Sequence, residues 1–484
     1  MNSPVRRLSL VVAALFASLL VSTTLIQYVF AADLNARPDN RRTLLSTYAR
    51  ERGEILVGQT PVARSVPSDD EYKYQRQYDD GPLYAHVTGF YSFYGAAGGL
   101  EEAENAMLSG SSDKLFYRRV SDLFTGRRPQ GANIETTLDP AVQKAASEGM
   151  EGIRGAAVAL DPETGAILAM VSHPTFDPND LAGHDLEDVG TNYEALNEDP
   201  DKPLVNRSIG GDLYPPGSVF KVVTAAAALS TGEYTEDSVL PGPAELDLPD
   251  TTADLPNYND RACSPSGEVT MTEALTVSCN TAFAYLGMEI GATALQEQAA
   301  KFGFGDSITI PMRVTPSTVP PEMNMPQLAQ ASIGQYDVRT TPLQMAMVAA
   351  GVANRGVVMK PYLVESVIGS DLAVIESADP QELSEAVTPE VAAQLTRMME
   401  SVVEDGTGRR AQIEGVDVAG KTGTAQHGEG RKAHAWFISF APADDPQIAV
   451  AVIAEDGGVA GSEAGGGTVA APIARTMMEA RLSR

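Results

Sequence analysis

The feature that most constrains this 484-residue chain is the segment 8–30, which carries no charged residue. As a helix rising about 1.5 Å per residue it reaches roughly 34 Å, enough to cross a hydrocarbon layer of about 30 Å, so it is read as a membrane span. Arg6 and Arg7 precede it and Asp33 comes after. The positive flank puts residues 1–7 in the cytoplasm and the rest of the chain outside. A cleaved signal peptide is the competing reading, because Val29-Phe30-Ala31 has the small-residue pattern of a cleavage site. The run is longer than a usual signal core, which favours a retained anchor, and both readings export the chain beyond residue 31.

The exported part is too long for one ordinary core and implies two or three domains. The whole chain's formal charge of −29 excludes a nucleic-acid surface, which needs clustered Lys and Arg, and points to neutral, mixed-charge or cationic partners. There are two cysteines, Cys263 and Cys279. Export permits them to pair without requiring it, and their spacing is not that of a structural zinc site.

Residues 31–150 read as a module of irregular composition, with a short strand at 52–58. Arg37, Arg41, Arg42, Arg50 and Arg52 lie close behind the span and are expected on a solvated or headgroup-facing surface. The catalytic unit, 151–484, opens with two apolar strands, 156–160 and 166–171, joined by the turn Asp161-Pro162-Glu163-Thr164-Gly165. Segments 172–213 and 231–268 read as long loops. Helices are expected over 271–288, broken at Ser278-Cys279-Asn280, and over 329–333, 342–352 and 385–403, with a strand pair inside 356–367. Strands at 415–425, 433–441 and 448–455 suit an antiparallel meander. A glycine-rich flexible connection, 457–467, then leads to a closing helix over 469–482. The fold class is therefore α/β (α+β), an antiparallel sheet flanked by helices.

Inside this frame, Tyr214-Pro215-Pro216-Gly217-Ser218-Val219-Phe220-Lys221 stops the preceding loop and starts an apolar helix. Ser218 falls in the first turn with Lys221 on the same face, so the amine can approach the hydroxyl. A lysine held in an apolar setting loses proton affinity and can serve as base for a serine. A second Ser-x-x-Lys, Ser111 to Lys114, lies in a polar segment with no buried helix behind it. The five histidines show no metal-ligand spacing, and His427 and His434 are expected to be ordinary loop or strand residues. No metal and no cofactor is expected.

Two further motifs come next in order, Ser278-Cys279-Asn280 and Lys421-Thr422-Gly423-Thr424. The three together are the signature of serine acyl-transfer enzymes that bind penicillin. Ser218 would be acylated and Lys221 would take its proton. Ser278 would relay that proton, and Asn280 would hold Lys221 and the substrate amide. Lys421 would meet a terminal carboxylate, with Thr422 and Thr424 offering hydroxyls, and Gly423 would let the substrate backbone lie along the strand edge. Backbone N–H groups of Ser218 and Thr424 would hold the oxyanion.

At these residues the chain resembles the class B penicillin-binding proteins, most of all the penicillin-binding protein A type of actinobacteria. The resemblance extends to Arg52-Gly53-Glu54-Ile55, Gly99-Leu100-Glu101, Thr137-Leu138-Asp139-Pro140 with Gln143, Pro203-Leu204-Val205-Asn206-Arg207, Ser332-Ile333-Gly334-Gln335 and Ala471-Pro472. It implies a β-lactamase-like transpeptidase fold behind a non-catalytic pedestal. It also implies a D-alanyl-D-alanine stem peptide of peptidoglycan as donor, an amine on a neighbouring stem as acceptor, acylation by β-lactams, and partners in cell division or wall elongation. The motif set alone leaves a D,D-carboxypeptidase or a β-lactamase open, since water could replace the amine. A division scaffold or a penicillin sensor is the reading of a different class.

Overall fold

The computed structural model describes residues 3–30, 34, 48–93, 95–116, 118, 124, 130–258, 260–427, 431–458 and 465–483. Ser3–Thr24 is a helix continued by a wider turn, Leu25–Val29, with no residue buried against the rest of the protein. Its mean hydropathy of 2.2 and its length fit a membrane span.

The sheet of the C-terminal unit has five antiparallel strands in the order Ala419–Ala425, His434–Ala441, Ile448–Ala454, Gly155–Leu160 and Ile167–His173. The expected hairpin and meander are therefore halves of one sheet, joined where Ile448–Ala454 pairs with Gly155–Leu160. Its inner strands are buried on both faces, which is why they read as continuous apolar runs. Trp436, Ile438 and Phe440 face one core, while Ala435, Phe437 and Ala441 face the other. The second core is closed by the helices Pro140–Gly149 and Ala471–Leu482, and the first by Pro342–Ala353 and the helices beyond it. Lys221–Ser230, buried along almost its whole length, lies against Asn280–Lys301 and Pro389–Glu404.

The second large sheet has six strands: Val374–Ser377, Val364–Ile368, Asn133–Thr136, Ile55–Val57, Thr60–Pro67 and Tyr74–Tyr78. The chain returns from its later half to complete the N-terminal sheet. This corrects the strand pair expected inside 356–367: Val357–Met359 pairs with Glu382–Glu385, and Val364–Ile368 pairs with Asn133–Thr136. Short strands carry no label for their partners, so adjacency in sequence is a poor guide.

Arg52 also departs from expectation. It is buried, with Nε 2.6 Å from Glu101 Oε2, while Arg76 Nε lies 2.6 Å from Glu101 Oε1 and the Tyr78 hydroxyl donates to Glu101 Oε1 at 3.1 Å. Burial raises the Glu101 pKa, yet the two guanidiniums outweigh it and hold the carboxyl below its ordinary value. Arg50 is exposed as expected, and Arg37, Arg41 and Arg42 lie outside the described residues.

The segment 172–213 contains a helix, Leu186–Glu198, capped by Asp185. Only Val189 of that helix is buried, so it has no apolar periodicity to reveal it. Of the glycine-rich connection, 459–464 lie outside the described residues. Gly466 is closely packed, for a Cβ there would meet the carbonyl oxygens of Trp436 at 2.0 Å and Gly423 at 2.8 Å.

Candidate active site

Gly217–Phe220 forms one tight turn that runs into the helix Lys221–Ser230, leaving Ser218 half-buried at the surface of the core. The turn is braced from below. Gly217, with φ of +56°, donates its N–H to the Gly334 carbonyl at 2.8 Å. A Cβ on Gly334 would stand 2.1 Å from the Gly217 oxygen, so only glycine fits this approach. Thr224 Oγ1 donates to the Ser332 carbonyl at 2.7 Å, and Trp436 Nε1 to the Pro215 carbonyl at 3.1 Å. The 332–335 motif therefore supports the Ser218 turn.

Lys221 is fully buried, and its Nζ donates to the Ser278 carbonyl and to Asn280 Oδ1, both at 2.8 Å, with Ser278 Oγ at 3.4 Å. Lys421, equally buried, donates to Ser278 Oγ at 2.9 Å and to the Thr422 carbonyl at 2.8 Å. One hydroxyl thus stands between two amines. Burial, and then the nearby Lys421 charge, pulls Lys221 well below the ordinary lysine value; burial alone brings Lys421 down to about 7. The amine of Lys221 is turned to Ser278 and Asn280, and no hydrogen bond joins it to the Ser218 hydroxyl.

Ser278 occupies the gap between Met271–Thr276 and Asn280–Lys301 with a left-handed φ of +60°. Two devices fix this gap. Cys279 is disulfide-bonded to Cys263, which resolves the pairing that the sequence left open. The buried Asn257 side chain accepts from the N–H groups of Asn280 at 2.9 Å and Thr281 at 3.1 Å, and donates to the Pro243 and Arg261 carbonyls at 2.8 Å each. It caps the helix that begins at Asn280 while pinning two loops. Nothing in the local sequence marks Asn257, because its partners come from three separate segments.

Ala419–Ala425 is the sheet's edge strand, paired on one side with His434–Ala441. Two of its residues are also tied into the core. The Thr422 hydroxyl pairs with Thr407 Oγ1 at 2.6 Å. Gly423 is required by packing: a Cβ would meet Trp436 Cβ at 2.9 Å, Val219 Cγ1 at 3.0 Å and the Pro216 oxygen at 3.1 Å. Thr424 is half-exposed, and its carbonyl lies against Gly217. The edge strand and the Ser218 turn are therefore in contact.

His427 and His434 stack 3.5 Å apart beside Asp456. His434 Nδ1 already accepts from the Asp456 N–H at 3.2 Å, and the carboxylate of Asp456 faces Arg154 and Arg431, which makes a poor cradle for a cation. Burial lowers His434 to about 3.

The penicillin binding protein transpeptidase domain matches residues 155–479. The chain belongs to the penicillin-binding proteins. A penicillin binding protein A dimerisation domain matches residues 52–134 of this penicillin-binding protein. It is 47% identical to the peptidoglycan D,D-transpeptidase PbpA of Mycolicibacterium smegmatis and 44% identical to that of Mycobacterium tuberculosis, covering 100% of this chain and 99% of each relative. Among solved structures it resembles the ceftriaxone and penicillin G acyl-enzyme complexes of penicillin-binding protein A from M. tuberculosis. The TM-scores are 0.88 and 0.85 at 44% identity, over 90% of this chain and 100% of those.

Proposed function

We propose that this penicillin-binding protein is a peptidoglycan D,D-transpeptidase that works through an acyl ester at Ser218. The observation that carries the reading is the Ser278 hydroxyl between two buried lysines, beside the braced Ser218 turn. In the proposed cycle, neutral Lys221 takes the Ser218 proton as Oγ attacks the carbonyl of the penultimate D-alanine. Ser278 passes the proton to the amine of the departing D-alanine as the peptide bond breaks. An amine from a neighbouring stem then attacks the ester, its surplus proton leaves by the same route, and Ser218 is restored. Asn280 positions Lys221 throughout. Charged Lys421 and the Thr424 hydroxyl meet the terminal carboxylate, and the N–H groups of Ser218 and Thr424 face the oxyanion. Gly423 lets the strand pack on the Ser218 turn, and Thr422 holds the strand through Thr407. A β-lactam enters by the same attack and remains as an ester, because ring opening leaves the departing nitrogen attached.

In this reading residues 1–7 are cytoplasmic, 8–30 span the membrane, 31–150 form the pedestal and 151–484 the extracytoplasmic transpeptidase. Proteins of division or wall elongation are placed on the pedestal. Intact-mass analysis after benzylpenicillin, with peptide mapping, tests the reading. One adduct on the peptide carrying Ser218, absent in a folded Ser218→Ala variant, supports it. An adduct that persists in the variant, or rapid turnover of a chromogenic β-lactam with no lasting adduct, overturns it.

A further inference from the structure

Beside the Ser218 turn lies a groove of about 690 Å³ whose walls continue three segments of the site. Tyr214 and Pro215 lead into the turn, Tyr336 and Arg339 come after the Gly334 brace, and Gln426 and His427 continue the edge strand past Thr424. We propose that this groove is a carboxylate-binding subsite for the part of the stem peptide that precedes D-alanyl-D-alanine. The proposal rests on the transpeptidase reading and extends it to substrate selection.

Direction is the first support. With the terminal carboxylate at Lys421 and the reacting carbonyl at Ser218 and Thr424, an extended peptide along the edge strand runs on past Thr424. At about 3.3 Å per residue, the next two residues of the peptide reach Gln426 and His427, where the groove opens.

Charge is the second. The chain as a whole carries −29, yet five cationic side chains line this groove against two carboxylates. Two of the five are neutralised in its floor: Arg154 Nε lies 2.6 Å and Arg207 Nε 2.9 Å from Glu455. Arg339 and Arg431 stand on the rim with side chains 37% and 53% exposed. Arg431 uses only Nη2, on Asp456, so its Nε and Nη1 have no partner among the described residues. Arg339 spends Nη1 on the Tyr336 and Val338 carbonyls and Nη2 on Asp337, which leaves Nε free among the described residues. Two guanidiniums with uncommitted N–H groups suit carboxylates, to which each can give a charge-assisted hydrogen bond. The ligand class is thus a peptide with free carboxylates on the residues ahead of its D-alanyl-D-alanine end.

The test uses the full chain in detergent and two synthetic pentapeptides ending in D-alanyl-D-alanine. They are identical except that the carboxylates of the second and third residues are free in one and amidated in the other. Each is scored by how far it slows labelling of Ser218 by a fluorescent penicillin. The acid peptide is expected to compete on the order of ten-fold better than the amide, as for the loss of one charge-assisted hydrogen bond. Arg339→Gln, Arg431→Gln and the double variant should bring the acid peptide to the level of the amide while penicillin labelling without peptide stays at the wild-type rate. That labelling rate also reports a folded site for each exposed-arginine variant. Equal competition by the two peptides in the wild type, or an acid preference that survives in a double variant with normal labelling, overturns the subsite. Failure of penicillin to label Ser218 at all would instead overturn the transpeptidase reading.

Discussion

Lys421 donates to the Ser278 hydroxyl at 2.9 Å, a hydrogen bond that closes 143 residues of sequence. Because Lys221 approaches the same hydroxyl at 3.4 Å, Ser278 touches both amines. Ser278→Ala should therefore slow acylation by benzylpenicillin about 100-fold, the usual effect of removing a proton-transfer group. Stopped-flow labelling checks the rate, and an unchanged melting curve shows that the fold is kept.

Lys421 sets the pH dependence. Burial takes its pKa from 10.5 to about 7, so in the free protein it is charged below about 7 and neutral above. If its charge holds the carboxylate, the second-order acylation rate falls as pH rises through about 7. Stability moves the other way. Between about 7 and 10.5 the unfolded chain binds the proton more readily than the folded one, so stability rises with pH across that window and is lost as pH falls through about 7. Comparing wild type with Lys421→Met by denaturant unfolding at several pH values isolates this contribution.

Gly334→Ala would place a Cβ 2.1 Å from the Gly217 oxygen at a φ of +74°. The Ser218 turn must then shift, and a displacement of about 1 Å at reacting atoms costs roughly 100-fold in rate. Penicillin labelling of Ser218 is expected to fall by that order in the variant, measured on protein that still melts cooperatively.

Reduction of the Cys263–Cys279 disulfide should loosen the gap that carries Ser278. The sequence separation of 16 corresponds to a stabilisation of about 3 kcal/mol. Peptide mass analysis without reductant should find the two cysteines linked, and unfolding with reductant should show a loss of that size together with slower acylation.

In the pedestal, Glu101→Gln would leave Arg52 and Arg76 buried without their shared carboxylate. Removing one partner of a buried ion cluster costs about 3–5 kcal/mol. Thermal unfolding with a probe in the N-terminal sheet checks this. A change under about 1 kcal/mol would mean that water or a neighbouring group takes the place of the carboxylate.

Much of the site was legible in the sequence because its chemistry is carried by side chains whose local spacing is itself informative. Ser218 and Lys221 share one helical turn, Ser278 and Asn280 flank one helix break, and residues 421–424 lie on one strand; their order along the chain was enough to name the reaction class. The burial of Arg52 was not legible, because the carboxylate that draws it inward lies 49 residues away. Nor was the role of Asn257, whose hydrogen bonds join segments that are distant in sequence. The exposed helix Leu186–Glu198 lacked the apolar stripe that periodicity needs.

The sequence by itself determined the apolar N-terminal helix, the apolar strands and helices, and the three motifs, since each is set by composition and period within a few residues. Only the tertiary structure decided that Val364–Ile368 completes the N-terminal sheet, that Gly423 is needed for packing on the Ser218 turn, and that the Ser278 hydroxyl meets two lysines. Each of these is a meeting of segments far apart in the chain, and which segments meet is set by how the whole core packs.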